Sequence, residues 1–256
     1  MIAVSLQSGS NGNCIYVEAG GARLLFDAGI SGVQAERRLA AFGRDIRKVD
    51  AVVISHDHSD HVRCAGVLHR KYGLPLFASR PTLRAAERNL DLGAMREVNS
   101  FVSGGALRFK KMTIETVRTP HDAEDGVAFV VCAEGKRLGI LTDLGHVFDG
   151  LPELIKSLDA VFLESNYDPE MLESGPYPAF LKARIRGPHG HISNIESAEL
   201  LRGNASRALQ WACLAHLSEQ NNKPQLALAT HRAISSSRGY ALHVASRYEP
   251  TGLFEI

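Results

Sequence analysis

The chain has no run of 18 apolar residues, so no membrane-spanning helix is expected. Its opening, MIAVSLQSGSNG, puts no basic segment ahead of a long apolar core, and no secretory signal is expected either. The glycine fingerprints GxGxxG and GxxxxGK[ST] are missing, which removes the dinucleotide-fold and P-loop readings. No repeat or low-complexity tract occurs. Cysteine is scarce: Cys14, Cys64, Cys132 and Cys213 lie far apart and form no CxxC pair. That spacing excludes a disulfide framework and fits a reduced, cytoplasmic protein whose cysteines are small buried groups. Net charge is also small. With 29 Lys and Arg against 28 Asp and Glu, the balance is +1. Any nucleic-acid contact therefore needs a local basic patch.

Hydrophobic residues make up 45% of 256 positions, enough for a sizeable core, and a single domain over residues 1–256 is expected. The chemistry concentrates in AVVISHDHSDHV, residues 51–62. Ala51–Ile54 reads as a buried strand. His56, His58, Asp60 and His61 follow within six residues. Each of these groups loses hydration on burial and needs a polar partner, and a metal ion supplies one for all of them. Imidazoles with a carboxylate suit zinc, manganese or iron. A helix is expected from Val62 to Gly73. This stretch alone does not separate one ion from two.

Further candidates stand at the ends of other apolar runs. His121 follows a strand expected over Met112–Val117, and Asp143 follows one over Arg137–Leu141. An aspartate in that place can bridge two cations. Asp27 ends the run Arg23–Phe26. It reads either as the hydrogen-bond partner of a ligand histidine or as a turn residue before glycine. His216, after Leu209–Ala215, competes with His231 in LALATHRA for a place at the metals. His146 reads as a loop residue. Asn166 and Asp168 are read as part of a cleft rim or as a capped turn before Pro169.

The stretch GPYPAFLKARIRGPHGHISN, residues 175–194, places Lys182, Arg184 and Arg186 just ahead of His189 and His191. Ser193 or Asn194 is expected to cap the following helix. A helix start beside arginine and histidine suits a phosphate. The cations also read as a solvated helix face.

These residues resemble the metallo-β-lactamase-fold superfamily through His56-Asp57-His58-Ser59-Asp60-His61, with Asp27, His121, Asp143 and His216 at its later motif positions. Within it the chain is similar to the YycJ/WalJ-like hydrolases, through SGSNGNCIYVEAGGARLLFDAGIS, SHDHSDH, ESNYDPEML, GPYPAFLKARI, GHISN and LAHLSEQNN. The resemblance implies an α/β chain folded as an αββα sandwich, two mixed sheets with helices outside. It implies two divalent ions, zinc or manganese with iron as the third choice. His56, His58 and His121 would hold one. Asp60, His61 and His216 would hold the other, with Asp143 bridging and Asp27 supporting a ligand. It selects His216 over His231. It implies a phosphodiester hydrolase of the 5′–3′ DNA exonuclease kind, in which a water shared by the ions is the nucleophile. Asp60 and His191 would be catalytic, and Lys182, Arg184, Arg186 and Asn194 would contact the nucleic acid. Cleavage of a small phosphodiester or a thioester on the same metals is the first alternative. A nucleic-acid-binding or regulatory protein without turnover is the second.

Overall fold

The computed structural model describes residues 1–96, 98–235 and 239–256. The chain forms two compact units. The first comprises Met1–Arg118, Ala123–Gly135 and Ser246–Glu255, and the second Thr119–Asp122, Lys136–Ala245 and Ile256. Among the described residues the order is β1 (Ile2–Gln7), β2 (Cys14–Ala19), β3 (Ala22–Phe26), α1 (Gly32–Ala40), β4 (Ala51–Val53), α2 (Ser59–Val62), α3 (Ala65–Tyr72), β5 (Leu76–Ser79), α4 (Arg80–Asn89), β6 (Val98–Phe101), β7 (Ala106–Phe109), β8 (Met112–Arg118), β9 (Val127–Ala133), β10 (Lys136–Leu141), α5 (Leu151–Lys156), β11 (Ala160–Glu164), α6 (Pro169–Ser174), α7 (Ala179–Arg186), α8 (Asn194–Asn204), β12 (Trp211–Ala215), α9 (Pro224–Ile234), β13 (Ala241–Val244) and β14 (Phe254–Glu255).

The strands make two mixed seven-stranded sheets flanked by helices, ordered β14-β1-β2-β3-β4-β5-β6 and β13-β12-β11-β10-β9-β8-β7. In the first unit, β14, β1, β2 and β3 are antiparallel, whereas β3, β4, β5 and β6 run parallel. Here β7, β8 and β9 are antiparallel. They face the first sheet through Phe26 against Phe129, with ring centroids 5.1 Å apart, and Phe77 against Phe109 at 4.9 Å. Strand β8 shows why: Met112, Ile114 and Thr116 are buried in alternation with partly exposed neighbours, the period-two pattern of a sheet with one packed face. Helices α1, α3 and α4 contribute Leu39, Leu68 and Ala86 to the core that also holds Leu25 and Val52.

In the second unit β10, β11, β12 and β13 are all parallel. Strands β11 and β12 are buried at every residue, as parallel strands covered on both faces must be. Leu214 and Leu217 pack with Ala227 and Leu228 of α9.

The helix expected from Val62 to Gly73 is two pieces, α2 and α3, interrupted where the Cys64 amide donates to the Ala28 carbonyl at 2.9 Å. Gly73 ends α3 in the left-handed conformation, as its position suggests.

Candidate metal centre

In each unit the candidate ligands leave the carboxyl ends of parallel strands, where α/β sheets commonly build their sites. Asp27 follows β3, Asp143 lies two residues beyond β10, and His216 follows β12. All three have left-handed backbones, with φ of 66°, 57° and 56°. Non-glycine residues enter that region at a cost, and such strain gathers at functional sites.

The first unit carries His56, His58, Asp60 and His61. Asp27 is buried at its base. Its carboxylate accepts from the Ser55 amide at 2.8 Å, from Ser55 Oγ at 3.0 Å, and pairs with His61 Nδ1 at 2.7 Å. That bond fixes the His61 ring and turns Nε2 toward the ligand side. The aspartate is therefore a histidine partner rather than a simple turn residue. Ser55 Oγ also lies 2.9 Å from His56 Nδ1. Asn13 Nδ2 donates to Asp60 Oδ2 at 3.2 Å and lies 2.9 Å from His61 Nε2. Gly29 permits this close fit, because a Cβ there would stand 1.6 Å from the Asp60 carbonyl oxygen.

The second unit carries His121, Asp143, Glu164, His191 and His216. One ligand atom each from Asp143, Glu164, His191 and His216 lies within 4.8 Å of all the others. Glu164, the last residue of β11, is wholly buried. Its carboxylate accepts from the Leu144 amide at 2.9 Å and pairs with His191 Nδ1 at 2.6 Å. His121 Nδ1 donates to the Gly190 carbonyl at 2.8 Å. Asn166 holds His216 by donating to its carbonyl at 2.8 Å, with the same amide nitrogen 3.1 Å from Nδ1.

The donor set fits metal ions. His61 Nε2 is 3.5 Å from Asp60 Oδ2. His121 Nε2 and His216 Nε2 are each 3.6 Å from Asp143 Oδ1. These separations are long for hydrogen bonds. They are close to the distance between two ligands of one tetrahedral ion, about 3.4 Å for bonds of about 2.1 Å.

The remaining expected residues fall elsewhere. Asn194 is fully buried at the start of α8, accepts from Ser165 Oγ at 2.6 Å and donates to Asn222 Oδ1 at 3.0 Å. The expectation that it contacts substrate is corrected: its amide is consumed inside the unit, and Ser193 is the cap. Asn166 is buried behind His216, and Asp168 caps α6, so the capped-turn reading of that segment replaces the cleft rim. His231 lies on α9 with Nε2 3.4 Å from Ser165 Oγ, outside the donor groups. Burial lowers its imidazole pKa to about 4. His146 is a loop residue whose Nδ1 pairs with the Pro188 carbonyl. Lys182, Arg184 and Arg186 lie on α7, which buries no side chain. Arg184 pairs with Asp122, which raises its pKa further, and Arg186 pairs with Glu173. Lys182 donates to the Glu173 carbonyl.

Sequence reasoning missed Glu164, Ser55 and Asn13. Glu164 had a signal: a charged residue closing AVFLE, an otherwise apolar strand, needs a buried partner.

Comparison with known proteins gives the family. Residues 22–211 match the family described as the beta-lactamase superfamily domain. Exodeoxyribonuclease WalJ of Streptococcus pneumoniae serotype 2 (strain D39 / NCTC 7466) is 37% identical over 227 residues, 88% of this chain and 84% of the relative. Exodeoxyribonuclease YycJ of Bacillus anthracis is 32% identical over 246 residues, 96% of this chain and 93% of the relative. In fold, the chain is similar to the crystal structure of the metallo-beta-lactamase fold protein YhfI from Bacillus subtilis, with a TM-score of 0.73 at 15% identity, covering 99% of this chain and 98% of that one. The clustered imidazoles and carboxylates support a metal-dependent hydrolase acting on phosphoester-type substrates. The chain belongs to the metallo-β-lactamase-fold superfamily and, within it, to the WalJ/YycJ group of exonuclease-like proteins.

Proposed function

We propose that this protein is a two-metal nuclease that removes nucleotides from DNA ends, in the 5′–3′ direction that the family resemblance implies. The observation that carries the reading is the Glu164–His191 pair beside Asp143. A buried carboxylate at 2.6 Å fixes His191 Nδ1 and so orients the ring and its Nε2. As an imidazolium, that nitrogen can hydrogen bond to a phosphoryl oxygen or hand a proton to the departing one. This is the requirement of phosphodiester cleavage, where the leaving alkoxide needs a proton.

In this reading His56, His58 and His121 would hold one ion and Asp60, His61 and His216 the second, with Asp143 as the shared carboxylate. Bound there, two divalent cations (zinc or manganese, with iron as the third choice) would lower the pKa of water and neutralise charge on the phosphoryl oxygens. Asp60, which accepts from Asn13, would orient the attacking water and take its proton. Asp27 and Ser55 keep the His61 and His56 rings in place. Arg184 is fixed through Nε by Asp122, which leaves its terminal amino groups for a phosphate. The names of the WalJ and YycJ relatives support DNA over RNA.

The test is digestion of 5′- and 3′-end-labelled single- and double-stranded DNA and RNA by metal-loaded protein, with a chelator control. Release of mononucleotides from DNA, lost with His58→Ala, is expected. Glu164→Gln should lower kcat about 100-fold while the protein still binds close to two ions. Cleavage of none of the four substrates at full metal occupancy would reject the nuclease reading.

A further inference from the structure

Phe180 is 75% exposed on α7, a helix with no buried side chain. It shares that helix with Lys182 and Arg184, and an exposed aromatic beside cations suits a ligand with flat apolar faces and negative charge. Its neighbours say where that ligand runs. Phe180 and Arg184 are four residues apart and share a helix face. Along the axis they are separated by about 6 Å at 1.5 Å per residue. The Arg184 guanidinium is tied to Asp122, next to His121.

The carboxyl end of α7 is also tied to the loop carrying His191. The His191 amide donates to the Ile185 carbonyl at 2.8 Å. Gly190 fits so closely that a Cβ would stand 2.1 Å from the Ile185 oxygen and 2.3 Å from that of Arg184. Phe180 is therefore held in register with His121 and His191 by two independent contacts of the same unit.

We infer that Phe180 is a base-stacking platform, holding the nucleobase of an unpaired strand while Arg184 takes a backbone phosphate on the way to His121 and His191. The inference rests on the nuclease reading and deepens it by naming a single strand as the form of nucleic acid that enters. Stacking on an aromatic ring tolerates any base, since every base has a π face, and it requires that the base be unpaired.

The test measures binding by fluorescence anisotropy. The probes are a phosphorothioate oligothymidylate of 12 nucleotides and an abasic strand of equal length and charge, both on the metal-loaded, full-length protein. Phe180→Ala should weaken oligothymidylate binding roughly tenfold and leave the abasic strand unaffected. Phe180→Trp should restore it. The exposed position predicts unchanged melting temperatures in both variants. Equal affinity of wild type and Phe180→Ala for oligothymidylate overturns the inference. So does an equal loss on both probes, or a change confined to sedimentation mass. If wild-type protein hydrolyses unmodified oligothymidylate while Phe180→Ala binds like wild type, the platform falls and the nuclease reading stands. If wild-type protein neither binds nor cleaves any strand, both fall.

Discussion

Several buried polar residues of this protein serve other residues rather than solvent or substrate. Asp27, Ser55 and Asn13 each spend hydrogen bonds on a candidate ligand, and Glu164 and Asn166 do the same in the second unit. Their burial would be costly without those partners. His231 belongs to a different class. It is wholly buried on α9, and loss of hydration alone lowers its pKa to about 4. In the unfolded chain the imidazole returns to about 6.5. Between these values the unfolded chain binds a proton that the native chain refuses. The stability this histidine contributes is therefore complete above about 6.5 and is lost as pH falls toward 4. Urea denaturation at pH 7 and pH 4.5 checks it. The wild-type loss between the two should exceed that of His231→Asn by on the order of 2 kcal/mol. Equal losses in the two proteins would show that His231 does not carry this pH dependence.

At the scale of elements, strand ends and one tight loop set the site. Parallel strands leave their carboxyl ends side by side, so Asp143, Glu164 and His216, far apart in sequence, emerge from adjacent strands β10, β11 and β12. Left-handed turns after β3 and β12, and beyond β10, then redirect the chain within a residue. The loop 187–191 is pinned to its surroundings by backbone groups: the Asp122 amide donates to the His189 carbonyl and His121 Nδ1 to that of Gly190. Gly190→Ala should force this loop away from α7. The expected result is at least a tenfold fall in kcat, with thermal stability lowered by about 1–3 kcal/mol, the usual range for overpacking. Steady-state kinetics and a melting curve on the same preparation check it. Wild-type turnover would show that the His191 position tolerates displacement. Most strands were legible from apolar runs and their boundaries. The pairing of the cations of helix α7 with Asp122 and Glu173 was not, because an ion pair between distant segments leaves no local pattern.

For the whole molecule, stability should depend on metal content. Ions bound by the native chain and not by the unfolded one stabilise by mass action, about 4 kcal/mol at a free concentration 1,000 times Kd. Dialysis against a chelator should therefore lower Tm by on the order of 10 °C, and zinc or manganese should restore it. Calorimetry with metal analysis checks this. An unchanged Tm in protein shown to be stripped of metal would mean that the clusters fold without help from ions.

The sequence by itself pointed to the fold class through its resemblance in motifs, and singled out the segment at residues 51–62 and the strand-end candidates His121, Asp143 and His216. Those signals are local: apolar runs bound the strands, and dense imidazole has few other uses. Tertiary structure alone decided which polar residues support them. It placed Asn194 inside the second unit, set Glu164 against His191, put His231 beside Ser165 and left Phe180 in water. Each of those outcomes depends on which groups burial brings within hydrogen-bond reach, and pairing over tens of residues leaves no trace in local spacing.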